Sequence, residues 1–187
     1  MAEQISNSTI ARAKAGDDAA LTAIYELYLP KIKRFLFYRI GDRHTAEDLT
    51  TEVFLRVIRN IAQYRIQEAP LQAWLFQIAR NIAIDYFRRQ GVRNHLELDA
   101  RLAANGDSPD TIAARSLVCD QLRGALEQLT EGQADVIILR FISGLSISET
   151  AQTLGKSESA VKSLQARGLE ALHRILSNHM VAYERIT

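Results

Sequence analysis

Small and basic side chains recur along one side of a segment between residues 145 and 172. If the second half of this segment is helical, a single stripe holds Ser159, Lys162, Ser163, Ala166 and Arg167, before Glu170 ends it. Lysine and arginine bind phosphate oxygens and the edges of guanine, and small side chains let a helix lie deep in a groove. The stripe therefore suits the major groove of DNA. An ordinary solvated helix face would have the same composition, so the elements that carry the stripe decide between the two interpretations.

Those elements are predicted to be two helices joined by a tight turn. Ser146 and Glu149 have the spacing of a capping box, which starts a first helix at about residue 147. Gly155 can take the left-handed conformation that ends this helix, and Ser157 can cap a second helix over about 158–175. The pattern is typical of a helix-turn-helix, whose second helix enters the major groove.

The other side of the second helix is predicted to face a core. Val161, Leu164, Gly168 and Leu172 recur at helical spacing, and the glycine allows a neighbouring helix to approach closely. Capping, turn and opposed faces together favour DNA binding over a solvated face.

Composition indicates an all-α protein and excludes several classes of function. The 187 residues are 47% hydrophobic, with 9 Gly, 3 Pro and a net charge of +1, and they lack sustained strand-like alternation. Cys119 is predicted to be a buried small side chain. No long apolar run or leader-like segment is evident, so we expect a cytoplasmic protein without membrane insertion. No cofactor or small-molecule substrate is expected. The four histidines lack metal-ligand spacing: His44, His95, His173 and His179.

The first half of the chain is predicted to be a helical bundle. Apolar spacing from residue 17 onwards indicates a helix that Pro30 interrupts, followed by a break at Gly41. Thr45 and Asp48 have capping-box spacing and open a helix to about residue 61, in which Leu49, Val53, Ile58 and Ile61 are predicted to pack inward. Pro70 suits the first position of a long helix that ends at about residue 89.

The long helix offers a second polar face. Its core side is predicted to hold Leu71, Trp74, Leu75, Ile78, Ala79, Ile82 and Tyr86, and its other face holds Gln77, Arg80, Asn81, Ile84 and Arg88. Amides can read base edges and arginines can hold phosphates. Three nearby aromatics, Tyr64, Phe76 and Phe87, are candidates for stacking on unpaired bases. A solvated face over core aromatics explains Phe76 and Phe87 equally well.

The composition divides the chain into two bodies and a linker. Residues 91–110 mix charges with Asn, Gly and Pro and have no lasting apolar period. We therefore predict a first domain over 1–90, a flexible linker over 91–110 and a second domain over 111–187. In the second domain, helices are predicted from Asp110 to about Leu129 and from Glu131 to Ile142, before the helix-turn-helix.

The residues of the two predicted domains resemble those of the extracytoplasmic function (ECF) sigma factors of bacterial RNA polymerase. The resemblance covers residues 17–90 and 124–176. AEDLTTEVFLRVI with WLFQIARNIAIDYFRR resembles the family's region 2, and LEQLTEGQADVIILRFISGLSISETAQTLGKSESAVKSLQARGLEAL resembles its region 4. The resemblance implies a non-enzymatic promoter-specificity subunit with three partners: core RNA polymerase, promoter DNA and an anti-sigma factor.

The resemblance also implies roles for particular residues. Region 2 would grip a coiled coil of the largest polymerase subunit through Asp48, Leu49, Glu52, Val53, Phe54 and Arg56, and Phe54 and Arg56 are predicted to lie partly off the inward stripe. The non-template strand of the minus-10 element would be held by Tyr64, Gln77, Arg80, Asn81, Ile84 and Arg88. The minus-35 duplex would be read by Ser159, Lys162, Ser163, Ala166 and Arg167. The acids of the linker, Glu97, Asp99, Asp107 and Asp110, would suit a channel otherwise used by RNA.

Two alternatives to a sigma factor follow from the residues. A nuclease or recombinase would need a carboxylate cluster or an activated nucleophile, whereas the acids here are explained by caps, linker and helix surfaces. A conventional repressor or activator would use the same helix-turn-helix as a dimer and would bind duplex DNA without polymerase. An inhibitor-held interaction module is compatible with the sigma-factor interpretation.

Overall fold

The chain forms two groups of α-helices in the computed structural model, which describes residues 5–65, 67–91 and 109–184. The first group is α1 (Asn7–Lys14), α2 (Asp18–Ile40), α3 (Arg43–Asn60) and α4 (Leu71–Gln90). The second is α5 (Pro109–Glu127), α6 (Glu131–Ile137), α7 (Ile147–Leu154) and α8 (Glu158–Glu184). The described residues contain no strand, so the all-α prediction is confirmed. None of the helices in these ranges has the length and apolar character that crossing a bilayer requires.

The predicted linker lies almost entirely outside the described residues, as do Glu97, Asp99 and Asp107. Only its ends are described: Gly91 terminates α4 with a φ of 63°, and α5 already begins at Pro109, with Asp110 in its first turn.

The core of the first group is built on α2, which is one helix and not two. The prediction that Pro30 interrupts it is wrong. Pro30 is exposed, while Ile24, Tyr28, Ile32 and Phe35 are buried along the same helix. Proline weakens a helix interior by a missing hydrogen bond and a clash. Because packing supplies most of the stability of a helix in a protein, the apolar face on both sides of Pro30 outweighs that loss.

The turn between α2 and α3 is tighter than the sequence suggested. Gly41 caps the end of α2 in the left-handed conformation, with a φ of 88°, and only Gly41 and Asp42 separate the two helices. The Asp42 carboxylate accepts from the backbone amide of Thr45 at 2.7 Å, so α3 begins at Arg43. The predicted Thr45–Asp48 capping box is therefore wrong. Hydrogen bonds from the side chain and amide of Thr45 hold the pKa of Asp42 below its ordinary value of 3.8.

Smaller corrections concern other element ends. Pro70 precedes α4 as its N-cap and is not its first residue. The helix predicted over Glu131–Ile142 is α only as far as Ile137, and a π-helical turn follows over Ile138–Ile142. The final helix is longer than predicted and reaches Glu184. Cys119 is only half-buried, with its Sγ 3.5 Å from the Tyr38 hydroxyl.

The second group is organised by the contact between α6 and α8. Gly168 lies in the middle of α8, and a Cβ added there would sit 3.1 Å from Cγ1 of Ile137 on α6. On the same side of α8, Val161 is fully buried, and Leu164 and Leu172 are half-buried. The predicted inward stripe is confirmed, and its glycine sets how closely α8 approaches α6.

Gly168→Val is therefore expected to lower the free energy of unfolding by about 1–3 kcal/mol, the usual cost of overpacking a well-filled core. Thermal melting followed by circular dichroism measures the change. Ala166→Val, on the exposed side of the same helix, is the control for the poorer helix propensity of valine. Equal melting temperatures for the two variants would contradict the close contact at Gly168.

Candidate nucleic-acid interface

The stripe on α8 is exposed along its whole length. Ser159, Lys162, Ser163, Ala166 and Arg167 all point away from the core, as the sequence predicted. The side chain of Arg167 donates to the carbonyl of Ser163 at 3.3 Å, one turn earlier on the helix. The stripe thus presents two cations and two hydroxyls on one rigid surface, which is the combination that phosphate and base-edge contacts need.

The helix-turn-helix that carries the stripe has the predicted caps. The Ser146 hydroxyl accepts from the amide of Glu149 at 3.1 Å, and the Glu149 carboxylate accepts from the amide of Ser146 at 2.7 Å. Gly155 ends α7 with a φ of 61°. The Ser157 hydroxyl then accepts from the amide of Ala160 at 3.2 Å, at the start of α8. These bonds satisfy amides that a helix start leaves unpaired.

A second set of contacts holds α8 against the π-helical turn. Arg140 donates from Nε to the side-chain oxygen of Gln165 at 3.1 Å, and it also donates to the carbonyl of Leu145. One arginine therefore joins the turn before α7 to the core side of α8. The orientation of the exposed stripe is set by this bridge together with the Gly168 contact.

The polar face of α4 is only partly available. Gln77, Asn81 and Arg88 are exposed and Ile84 is half-buried. Arg88 pairs with Asp85 on its own helix at 3.0 Å, an exposed contact that contributes little to stability. These four side chains can reach a ligand without displacing another part of the chain.

Arg80 differs from its neighbours on α4 because it is engaged by the second group of helices. Its Nε donates to Oδ2 of Asp135 on α6 at 2.7 Å, and its Nη2 lies 3.7 Å from Glu131. Asp135 also accepts from Nε of Arg39 on α2, at 3.0 Å. No sequence pattern predicted this interdomain ion cluster, which consists of Arg39, Arg80, Glu131 and Asp135.

Tyr64 is buried and not presented for stacking. Its ring lies 5.0 Å from that of Trp74, its hydroxyl donates to the carbonyl of Ala69 at 2.6 Å, and its carbonyl accepts from Nζ of Lys14 at 2.7 Å. Burial raises the pKa of the Tyr64 hydroxyl, which keeps it protonated and able to donate. Tyr64 thus braces the loop before α4.

A cavity of about 620 Å³ opens beside this loop. Tyr64, Trp74 and Gln77 form part of its wall, and Gln152 of α7 closes one side. Aromatic rings beside amide groups can receive an unpaired base. The other aromatics proposed for stacking serve packing: Phe76 is fully buried in an edge-to-face contact with Phe35, and the Arg39 guanidinium lies 4.9 Å from the Phe87 ring centroid.

The residues proposed to grip polymerase lie on both sides of α3. Leu49, Val53 and Phe54 are buried, and the expectation that Phe54 lies partly off the core is wrong, since it is only 5% exposed and packs against Tyr25. Asp48 is exposed, and Arg56 and Glu52 are half-buried and ion-paired.

The apolar residues that α3 exposes are the neighbours of those predicted. Leu55 is 48% exposed and Ile58 is 54% exposed, which corrects the inward placement of Ile58. Tyr25 of α2 is also exposed, in contact with Phe54. The signal was present in the sequence, because Leu55 and Ile58 follow Asp48 and Thr51 at helical spacing opposite Leu49, Val53 and Val57.

Within the described ranges, no three His, Cys, Asp or Glu side chains come together. The site is instead a set of surfaces: the exposed α8 stripe, the α4 face with its cavity, and the apolar α3 surface.

Comparison with known proteins assigns a family to this arrangement. Residues 24–93 match sigma-70 region 2, and residues 119–172 match sigma-70 region 4. The ECF RNA polymerase sigma factor BldN of Streptomyces coelicolor is 38% identical over 89% of this chain and 64% of its own length. The ECF RNA polymerase sigma factor SigX of Bacillus subtilis is 38% identical over 81% of this chain and 80% of its own.

A solved structure shares the fold. CnrH, in complex with the cytosolic domain of CnrY, superposes with a TM-score of 0.74 over 91% of this chain and 96% of CnrH, at 22% identity. The region 2 match covers most of α2 with α3 and α4, and the region 4 match covers the end of α5, α6, α7 and the first part of α8. The chain belongs to the ECF family of RNA polymerase sigma factors.

Proposed function

We propose that this chain is a dissociable specificity subunit of RNA polymerase that reads two separated promoter elements and holds one DNA strand open between them. The observation that carries the proposal is the exposed α8 stripe, fixed in a capped helix-turn-helix, in a chain whose other domain has its own polar face on α4. Two nucleic-acid surfaces on two domains suit a two-element site. We retain the division into residues 1–90, 91–110 and 111–187 as part of this proposal.

The second domain reads the duplex of the minus-35 element in this proposal. Lys162 and Arg167 bind phosphates or guanine edges, and Ser159 and Ser163 donate to neighbouring acceptors. Ala166 leaves room for the backbone of α8 to approach the bases. Because these five side chains are exposed in the structure, the second domain needs no rearrangement to meet duplex DNA.

The first domain captures the minus-10 element as a single strand. Gln77, Asn81 and Arg88 contact the strand along α4, with Ile84 beneath it, and the cavity beside Tyr64 receives an unstacked base. Extruding a base costs a few kcal/mol, which a pre-formed receiving cavity offsets. Tyr64 acts as a wall of that cavity, held by Trp74 and Ala69, and Arg80 joins the contacts once it leaves Asp135.

The surface of α3 binds the core enzyme. Leu55, Ile58 and Tyr25 supply apolar area, which the charges of Asp48, Glu52 and Arg56 surround, and this pairing of an apolar centre with a polar rim is common to protein interfaces. Leu49, Val53 and Phe54 support the surface from below. The chain thus has no catalytic role of its own and acts in the cytoplasm, where the polymerase is.

An anti-sigma factor is the third proposed partner. The sigma factor RpoE of Bartonella quintana has been solved in complex with the anti-sigma factor NepR, and its fold covers 83% of this chain. An anti-sigma factor would keep the two domains of this chain from the polymerase until a signal released it.

Arg167→Ala is expected to weaken the binding of polymerase carrying this chain to its promoter about tenfold, since one good base or phosphate contact is worth about 1–3 kcal/mol. Binding is measured by gel shift on a promoter that the wild-type chain selects with core enzyme. The matched control is Arg34→Ala, an exposed arginine of α2 outside the three proposed surfaces. An equal loss of affinity for the core enzyme itself would refute the role of Arg167 in DNA recognition.

The double variant Leu55→Ala with Ile58→Ala is expected to weaken binding to core polymerase about tenfold or more, because apolar anchors at an interface centre carry much of the affinity. Both side chains are exposed, so the melting temperature should remain unchanged. Fluorescence titration of labelled chain with core enzyme gives the affinity.

Phe54→Ala is the contrasting variant for that titration. It should lower the free energy of unfolding by about 3–5 kcal/mol, the usual cost of emptying a buried phenylalanine site. Unchanged polymerase affinity in the folded double variant would remove Leu55 and Ile58 from the interface.

A further inference from the structure

The two domains are closed on each other around one buried carboxylate. Asp135 is 0% exposed, whereas Glu131, the other acid of the interdomain ion cluster, is exposed to solvent. Its two oxygens are divided between two arginines of the first domain, Oδ1 to Arg39 at 3.0 Å and Oδ2 to Arg80 at 2.7 Å. Glu131 stands outside the pair, half exposed, at 3.4 Å from Arg39 and 3.7 Å from Arg80.

Further contacts extend the closed interface beyond this cluster. The Thr153 hydroxyl of α7 donates to the carbonyl of Ala73 on α4 at 3.3 Å, and the buried Arg123 of α5 donates to the carbonyl of Gly41. Apolar side chains of both domains also form one continuous buried cluster. Helix α7 therefore lies directly against α4, the helix that carries the proposed minus-10 face.

Closure affects the two nucleic-acid surfaces unequally. The α8 stripe stays exposed. On α4, Arg80 is held by Asp135, and Gln152 of α7 borders the cavity that Trp74 and Gln77 line. The Asp135 carboxylate is thus paired with Arg80, which would otherwise be free to bind a DNA phosphate in the domain that captures a single strand.

The physics of a buried ion pair makes this contact suited to a switch. The attraction between buried charges is only slightly larger than the free energy lost when they leave water. An intact ion cluster therefore stabilises the closed form only modestly. Removing only the Asp135 carboxylate leaves Arg39, whose side chain is 8% exposed, and the half-buried Arg80 with the solvent-exposed Glu131 as the remaining acid of the cluster, which disfavours the closed form. Opening restores water to both arginines.

We propose that Asp135 is an autoinhibitory lock: it holds Arg39 and Arg80, keeps region 4 against α4, and withholds Arg80 from the minus-10 face until the domains separate. The proposal rests on the proposed function, because the DNA role of Arg80 belongs to it. Binding of a single DNA strand to the α4 face then favours the open form, because closure holds Arg80 on that face but leaves the α8 stripe exposed.

The test compares the full-length chain with three variants. Asp135→Asn keeps the shape of the side chain and removes its charge. Glu131→Gln is the matched control, since Glu131 approaches the same two arginines from the solvent side. Arg39→Gln weakens the lock from the other domain and leaves the α4 face intact, so it decides the question if Asp135→Asn fails to fold. Small-angle X-ray scattering measures the radius of gyration, and anisotropy of a short fluorescein-labelled single strand of DNA measures access to the minus-10 face.

The lock predicts a larger radius of gyration and about tenfold tighter binding of the single strand for Asp135→Asn, a smaller change of the same sign for Arg39→Gln, and wild-type behaviour for Glu131→Gln. Adding Arg80→Gln to Asp135→Asn should keep the chain open and abolish the gain in DNA binding. An unchanged radius for folded Asp135→Asn, equal effects of Glu131→Gln, or opening without tighter DNA binding would each overturn the lock.

Failure of the proposed function gives a different result. In that case, neither the wild-type chain nor an opened variant directs transcription with core polymerase, whatever the scattering shows. If the function holds and the lock fails, the wild-type chain transcribes and Asp135→Asn stays closed.

Discussion

A carboxylate buried between two arginines determines how the halves of this protein sit together. Asp135 cannot lie in an apolar interior without partners, and both partners come from the first domain. The shared apolar cluster supplies the area that favours closure, while the ion cluster requires one orientation of α6 against α2 and α4. Whether Arg80 on the α4 face is free to bind DNA therefore depends on Asp135, which belongs to the second domain.

The two DNA-facing surfaces obey different constraints. The α8 stripe is positioned by contacts on the opposite side of the helix, where Gly168 packs against Ile137 and Arg140 donates to Gln165. Its exposed side takes no part in packing. The α4 face belongs to a helix that packs on α2, α3 and α7, and its cavity depends on a buried tyrosine. A rigid, exposed duplex reader and a single-strand reader with one arginine held back fit an initiation factor that finds DNA before opening it.

Local signals in the sequence predicted the helix-turn-helix well, and long-range contacts explain the errors elsewhere. Ser146, Glu149, Gly155 and Ser157 act within a few residues of themselves, so their spacing was sufficient. Pro30 was misleading because the apolar packing of α2 on both of its sides is a tertiary effect.

The candidate site shows the same division. The exposed stripe on α8 followed from helical periodicity alone. On α3, consecutive residues are separated by about 100° around the axis, so Phe54 and Leu55 exchange core and surface with a small error in phase. Asp135 lies 96 positions from Arg39 and 55 positions from Arg80 in the sequence, so no local sequence pattern predicts that they pair.

Directing RNA polymerase to promoters is the central function of this chain. Its most direct test is to combine the purified chain with core polymerase on fragmented genomic DNA and to sequence the run-off transcripts. The account predicts new start sites that share two spaced upstream motifs and are absent with core enzyme alone. Starts indistinguishable from those of the core enzyme, or no association with it, would contradict the account.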